Sequence, residues 1–304
     1  MNISNRKNLP EIIVNAVKND PYDAGEKTDY SATQLIRPAY QVALQNEHAD
    51  EISEDVADML WALYGTAVHY ILERGAGPND IVEERLYGEI GGYTISAQLD
   101  HYGRKDQRIS DWKLTGSYKI KKAISEHDYE DWEQQLNIQA WLAKINGFEV
   151  SELYIGAMCR DWSAQKFKDE EGYPDQIEYI QIPLWTFEEQ EQFIAQRIAA
   201  MISPQPCSQQ ERWQPESKFA LMKVGGSRAA KVGYEFDVQL YAVEKGFGVM
   251  NREDDGTVSF MMTSSQHFIE EREGPNRRCE GYCNVNTWCK YYQDNYATDG
   301  DVPF

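Results

Sequence analysis

Apolar residues at Val56, Met59, Leu60, Leu63, Ala67, Tyr70 and Ile71 recur at helical spacing, which predicts a helix over residues 51–74 with one buried face. Upstream, residues 1–30 are polar and predict little regular structure beyond a short helical pattern in "EIIVNAVKN". Ser31 is a good N-cap for a helix in "SATQLIRPAYQVALQNEH", interrupted near Pro38, whose ring removes a backbone donor. Downstream the period changes to two. "VEERLYGEI" (82–90) and "GYTISAQLDHY" (92–102) read as strands joined by "GG", a hairpin signal. After the short turn "GRKD", a third strand runs through "QRISDWKLT" (107–115). An amphipathic helix over 128–147 closes at Asn146-Gly147, where glycine suits the left-handed turn that ends helices. Strands at 151–162 and 176–185 and a helix at 187–202 follow.

The order is helix, three-stranded meander, helix, strand, strand, helix. It predicts a mixed sheet flanked by helices, an α/β or α+β architecture. "SPQPCSQQERWQP" (203–215) breaks the pattern. Residues 216–270 then read as a small insertion, with short strands in "KFALMK" and "RAAKVGYEF" and a helix near 236–245. A cysteine-rich tail closes the chain. The expected division is an N-terminal helical segment at 1–50, a core at 51–203 and a C-terminal region at 204–304.

A chain of 304 residues can bury a substantial core. No window approaches the 18 consecutive apolar residues of a membrane-spanning helix, so no membrane partner is expected. "MNISNRKNLP" lacks an apolar leader region, which makes the cytoplasm the expected location. The net charge of −20 repels nucleic acid on average, but the charges are unevenly placed. From Lys113 to Ala123 there are four lysines and no acid, and from Lys218 to Lys231 four cations and no acid. Solvated surface is the plain reading of any one such run.

Two strand carboxylates and a lysine carry the sharper signal. Asp100 and Asp111 lie near the ends of strands joined by a short turn, and Lys113 shares a strand face with Asp111. Two carboxylates can hold Mg²⁺ or Mn²⁺ and leave positions for water and phosphate. A lysine alongside can orient that water and stabilise charge growing on phosphorus. A surface salt bridge between strand residues is the plain alternative. His69, on the preceding helix, can complete a metal site or be structural. Gln135 and Gln139 lie one turn apart on the following helix, and Glu84 at the start of the first strand either supports the site or solvates its edge.

These motifs, in this order, resemble the PD-(D/E)XK nuclease superfamily, in its RecB-nuclease and Cas4-like branch of phage-type exonucleases. The resemblance rests on Gly65 and His69, Asp100, "DWK" at 111–113, and Gln135 in "QLNIQAWL". It implies a restriction-endonuclease-like core with His69, Asp100 and Asp111 as metal ligands, assisted by the Trp112 carbonyl, and Lys113 as the catalytic lysine. Gln135 would contact DNA or order the site. The tyrosine that the pattern places four residues after Gln135 is Gln139 here, which can bond a phosphate but cannot stack. Lys119, Lys121 and Lys122 would line a DNA channel entrance, with Tyr118 and Phe219 available for stacking or for core packing.

Five cysteines in a chain expected in the cytosol argue for thiolate ligands over a disulfide framework. "RRCEGYCNVNTWC" spaces Cys279, Cys283 and Cys289 so that three thiols can meet one metal centre. Cys207 is the expected fourth ligand, and Cys159 a buried strand residue. By resemblance the group is a [4Fe–4S] cluster, although relatives usually place the distant cysteine before the core. Zn²⁺ is the alternative, with His267 in place of Cys207. The implied activity is a metal-dependent exonuclease acting on linear DNA ends in phage or bacterial recombination or repair, in the bacterial or phage-infected cytosol. A single-strand annealing or recombination protein is the implied partner. A non-catalytic nucleic-acid-binding or assembly protein on the same fold, and a Cas4-like endonuclease trimming specific DNA intermediates, are the alternatives.

Overall fold

The computed structural model describes residues 2–19, 28–252 and 255–296, so residues 20–27 of the polar N-terminal stretch lie outside it. The chain forms two compact units, Met1–Gln205 and Pro206–Phe304. The first runs β1 (Asn2–Ser4), α1 (Glu11–Lys18), β2 (Tyr30–Ser31), α2 (Ala32–Leu35), α3 (Ala39–Glu47), β3 (Ser53–Asp55), a 3-10 turn at Val56–Asp58 and α4 (Leu60–Glu73). It continues through β4 (Ile81–Ile90), β5 (Tyr93–Gly103), β6 (Arg108–Thr115), α5 (Ser117–Glu126), α6 (Glu130–Ile145), β7 (Glu152–Cys159), α7 (Ala164–Asp169), β8 (Ile177–Ile182) and α8 (Phe187–Ile202).

Local chemistry explains several of these boundaries. Ser31 caps α2 reciprocally: its Oγ accepts the Gln34 N–H (3.2 Å), and Gln34 Oε1 accepts the Ser31 N–H (2.9 Å). Pro38 then separates α2 from α3. The helix expected over 51–74 begins late, because β3 pairs in parallel with β1 and Asp55 Oδ1 accepts the Ala57 N–H (3.1 Å) of the 3-10 turn. None of the side chains of α4 is buried, with Leu60, Tyr70 and Ile71 at 43, 65 and 60% exposure, so the expected buried face is not realised. Helix α5 was not legible in the sequence pattern; the Asp161 carboxylate accepts its first N–H, from Ser117, at 2.6 Å.

Among the described residues, six strands form one mixed sheet around β5. Gly91 and Gly92, both at positive φ (61° and 83°), turn β4 back onto β5 as an antiparallel hairpin. On its other edge β5 pairs with β6 only from Gly103↔Arg108 to His101↔Ser110. Farther along that edge β2 takes over, parallel, at Ile95 and Ser96. Strand β6 meanwhile runs parallel to β7 along its whole length, and β8 is antiparallel to β7. The sheet therefore forks between β5 and β6.

Helices α2, α6 and α8 pack with the sheet around a core that includes the fully buried Leu136, Leu142, Ile109, Leu153 and Ile155. Each such side chain stabilises the fold by about 1.5–3 kcal/mol. Arg197 of α8 donates to the Leu35 and Arg37 carbonyls at 2.6 Å each, tying α8 to the end of α2. At Gly156 the Trp112 ring occupies the space that a Cβ would take.

The second unit contains β9 (Lys218–Lys223), β10 (Lys231–Gly233), α9 (Glu235–Glu244), β11 (Gly248–Arg252), β12 (Val258–Met262), β13 (His267–Arg272), α10 (Arg277–Gly281) and α11 (Lys290–Tyr296). Strands β10, β9 and β13 form an antiparallel sheet, and Val238 and Ala242 of α9 pack with Leu221. Strands β11 and β12 form a separate hairpin. Among the described residues no helix is long and apolar enough to cross a membrane.

Candidate metal centre and active site

The fork places the two carboxylates. Beyond the last pair, His101↔Ser110, the register brings Asp100 opposite Asp111. The strands part there, so the Trp112 N–H leaves the ladder and donates to Asp100 Oδ2 at 2.8 Å. Both acids are buried, Asp100 at 8% and Asp111 at 1% exposure. Burial pushes the Asp100 carboxyl up, and the Asp111 charge raises it further. Together they outweigh His69, Lys113 and the Trp112 N–H, and the group reaches about 7.

Asp111 is held from α6. Its Oδ1 accepts from Gln135 Nε2 at 2.8 Å and from Gln139 Nε2 at 3.3 Å, and its Oδ2 lies 2.7 Å from Lys113 Nζ. That last contact is an ion pair in which the buried carboxylate oxygen faces the ammonium. Lys113 also donates to Gln135 Oε1 at 3.0 Å. Burial would lower the Lys113 pKa, but Asp111 and Asp100 outweigh it and hold the ammonium charged. Gln135 thus binds both members of the pair through the two ends of one amide. Gln139, expected at a DNA phosphate, is 1% exposed and turned onto Asp111 and the Gln98 carbonyl, on the inner wall of the same cavity rather than at the outer surface.

A third acid, which the sequence pattern did not single out, completes the cluster. Glu83 lies across from Asp100 in the hairpin register and takes φ +51°, a left-handed conformation unusual for a strand residue. Its Oε1 is 3.1 Å from His69 Nδ1, and its Oε2 accepts from Gln98 Nε2 at 2.6 Å. His69 Nδ1 lies 3.6 Å from Asp100 Oδ1. The Glu83 bond, against burial and with help from Asp100, raises the His69 pKa to about 9. Ligand atoms of His69, Glu83 and Asp100 all lie within 4.8 Å of one another. Two oxygens and an imidazole nitrogen suit Mg²⁺ or Mn²⁺, and Asp111 Oδ2, ion-paired with Lys113, is a further oxygen in the same cavity. Glu84, the acid singled out from the sequence, is exposed.

That cavity, about 170 Å³, is lined by His69, Glu83, Arg85, Asp100, Asp111 and Lys113, with Ser31, Ser96 and Gln98 on its wall. Its three carboxylates exceed its two fixed cations by one charge when His69 is neutral. One divalent cation converts that excess into a net positive charge, which favours anionic groups in the cavity.

No protein-family model matches the chain, and no curated protein does. Several solved structures are similar in part, among them the following. The structure of SSO0001 is 17% identical with a TM-score of 0.44, over 64% of this chain and 87% of that one. A phage-related exonuclease from Haemophilus somnus 129PT is 14% identical with a TM-score of 0.28, over 63% and 78%. Likenesses this distant decide nothing about chemistry, which rests on the cavity itself.

The lysines expected along a DNA channel are already engaged. Lys119 Nζ lies 2.9 Å from Asp131 and 3.8 Å from Asp128, and Lys122 Nζ lies 2.9 Å from Asp128 and 3.5 Å from Glu126. Lys121 donates to the Glu171 carbonyl at 3.2 Å. The acids that follow α5 in sequence fold back onto its lysines. Tyr118 is 70% exposed beside Lys122, whereas Phe219 packs with the core of the second unit.

In the second unit Cys207, Cys279, Cys283 and Cys289 come near enough for their charges to interact. Burial, then Glu211 and the other three thiols, push Cys207 up to about 12; burial and two of those thiols push Cys279 up to about 11. None of the described cysteines is in a disulfide. His267, the alternative ligand, instead stacks on Phe247 (centroids 3.8 Å apart) and bonds Ser264 Oγ at 2.8 Å. Cys159 is half-buried and lies 3.5 Å from Asp161, in the first unit.

Proposed function

We propose that this chain is a Mg²⁺- or Mn²⁺-dependent deoxyribonuclease that hydrolyses phosphodiester bonds at the ends of linear DNA. The observation that carries this reading is the facing of Asp100 and Asp111 at the fork, with Lys113 beside them and His69 and Glu83 across the gap. His69, Glu83, Asp100 and Asp111 would hold the cation, which would supply Lewis acidity toward a phosphoryl oxygen and an acidified water. Gln135 fixes the Lys113 ammonium against Asp111, from where it can donate to the attacking water or to the charge developing on phosphorus. The buried wall excludes bulk water, which strengthens both interactions.

Incubating end-labelled linear DNA with the protein, in Mn²⁺ and separately in chelator, tests the reading. Cleavage is expected only with metal, and only without Lys113→Ala. Cleavage of closed circles at the linear rate would favour an endonuclease instead. An intact, folded wild type that cleaves neither form would leave a nucleic-acid-binding role.

The four clustered cysteines fit a structural [4Fe–4S] group in the second unit. Desolvated thiols that repel one another as thiolates are stabilised by binding metal. Zn²⁺ on the same thiolates is the alternative, and the [4Fe–4S] group is the one with a visible signature. An absorbance band near about 400 nm that is lost in Cys207→Ser would support it.

A further inference from the structure

The cavity has a cationic end that the proposed chemistry does not use. Arg85 lies on β4 two residues beyond Glu83, so its backbone is about 6.8 Å farther along the strand. It stands across from Gln98, as Glu83 stands across from Asp100. Its Nη1 donates to Ser96 Oγ and its Nη2 to Gln98 Oε1, both at 3.2 Å. The nitrogen of the same Gln98 amide donates to Glu83 Oε2 at 2.6 Å. One amide thus bridges the guanidinium and the carboxylate. Ser96 is fully buried and Ser31 nearly so, which gives this end a polar, closed wall.

We propose that Arg85, held at this end by Ser96 and Gln98, binds a second phosphate group of the substrate. The inference rests on reading the cavity as a phosphodiester site. A planar guanidinium presents paired donors to phosphate oxygens, which a point charge does not. A volume of about 170 Å³ suits a cation with phosphate groups and leaves the sugars and bases outside. The backbone spacing between Glu83 and Arg85 is comparable with that of successive phosphates in an extended strand. Two sources present this chemistry: the terminal phosphate of a DNA end, or the next internal diester.

Calorimetry of the Mg²⁺-loaded protein with thymidine dinucleotide, unmodified or carrying a phosphate at its 5′ or 3′ end, tests this. Arg85→Gln is expected to weaken binding about tenfold or more, the effect of one lost charge-assisted contact. A terminal occupant confines the loss to one phosphorylated probe, which then binds like the unmodified one. An internal occupant makes the unmodified probe lose affinity as well, while Mg²⁺ affinity, titrated without nucleotide, stays unchanged. Arg85→Lys keeps the charge without the fork and falls between, and it replaces the Gln variant if that does not fold. Variants with wild-type affinity for all three probes overturn the proposal. So does a loss matched by an equal loss of Mg²⁺ affinity, since Arg85 would then serve only the carboxylates. A wild type that binds no probe overturns it too. Because the readout is binding, a chain that binds through Arg85 yet never cleaves would lose the nuclease reading and keep this one.

Discussion

Replacing Asp100 by Asn should make the metal-free protein more stable at alkaline pH while removing its metal response. The buried carboxyl is raised from 3.8 to about 7, mainly by burial and then by Asp111. Between those values the folded chain keeps a proton that the unfolded chain has released, so stability falls as pH rises through that window. Above pH 7 the ionised group is a standing cost. A rise of roughly three pH units, at about 1.4 kcal/mol each, sets its upper limit near 4 kcal/mol. Asn removes the charge, and its oxygen still accepts the Trp112 N–H. Part of the gain is returned, because His69 loses the Asp100 charge that helps hold it protonated, although its bond to Glu83 remains. A net gain of about 1–3 kcal/mol at pH 8 is expected, shrinking to near zero at pH 4. Urea unfolding of both proteins in chelator, at pH 4, 6 and 8, measures it. Added Mg²⁺ should then raise the midpoint of the wild type and leave the variant unmoved. A variant less stable than wild type at pH 8 without metal, or a difference that does not change with pH, refutes the reasoning.

Asp55 predicts an effect of opposite sign. The Arg6 backbone N–H, with Ser4 and Ala57, holds its carboxyl down at about 2, so its contribution is present above 3.8 and lost as pH falls toward 2. Asp55→Asn should flatten that acid limb in a series of thermal melts. Gly156→Ala sets a methyl into the Trp112 ring and should cost about 1–3 kcal/mol in chemical denaturation; a cost below the error of the fit would mean the ring moves freely. Cys207→Ser should lower the melting temperature of metal-loaded protein far more than that of protein stripped by chelator, because only the former uses the thiolate.

Much of the site could be read from period-two strands. Asp111 and Lys113 had to share a face, and a short turn had to return Asp100 toward them. Glu83 was missed in favour of Glu84, yet it was within reach: residues 83 and 100 lie equally far from the Gly91-Gly92 turn, which puts them opposite each other. Gln139 shows the limit of helical periodicity, which names a face but not its depth; it looked like a surface contact and is buried against Asp111. The lysines after β6 looked unopposed because their counter-ions, Asp128 and Asp131, begin just beyond the run and return only through the α5 turn. Strands β11 to β13 escaped because Val258 and Met261 remain exposed, so no clean alternation marks them.

Helix α4 delivers His69 yet sinks no side chain of its own into the interior. Its stacking of Trp61 under Arg160, 4.4 Å from the ring centroid, is a surface contact. A segment so lightly moored opens at small free-energy cost, and its imidazole departs with it. A cation bound there would therefore rivet this helix to the hairpin, and amides along Leu60–Glu73 should exchange with solvent deuterium more slowly once it is bound.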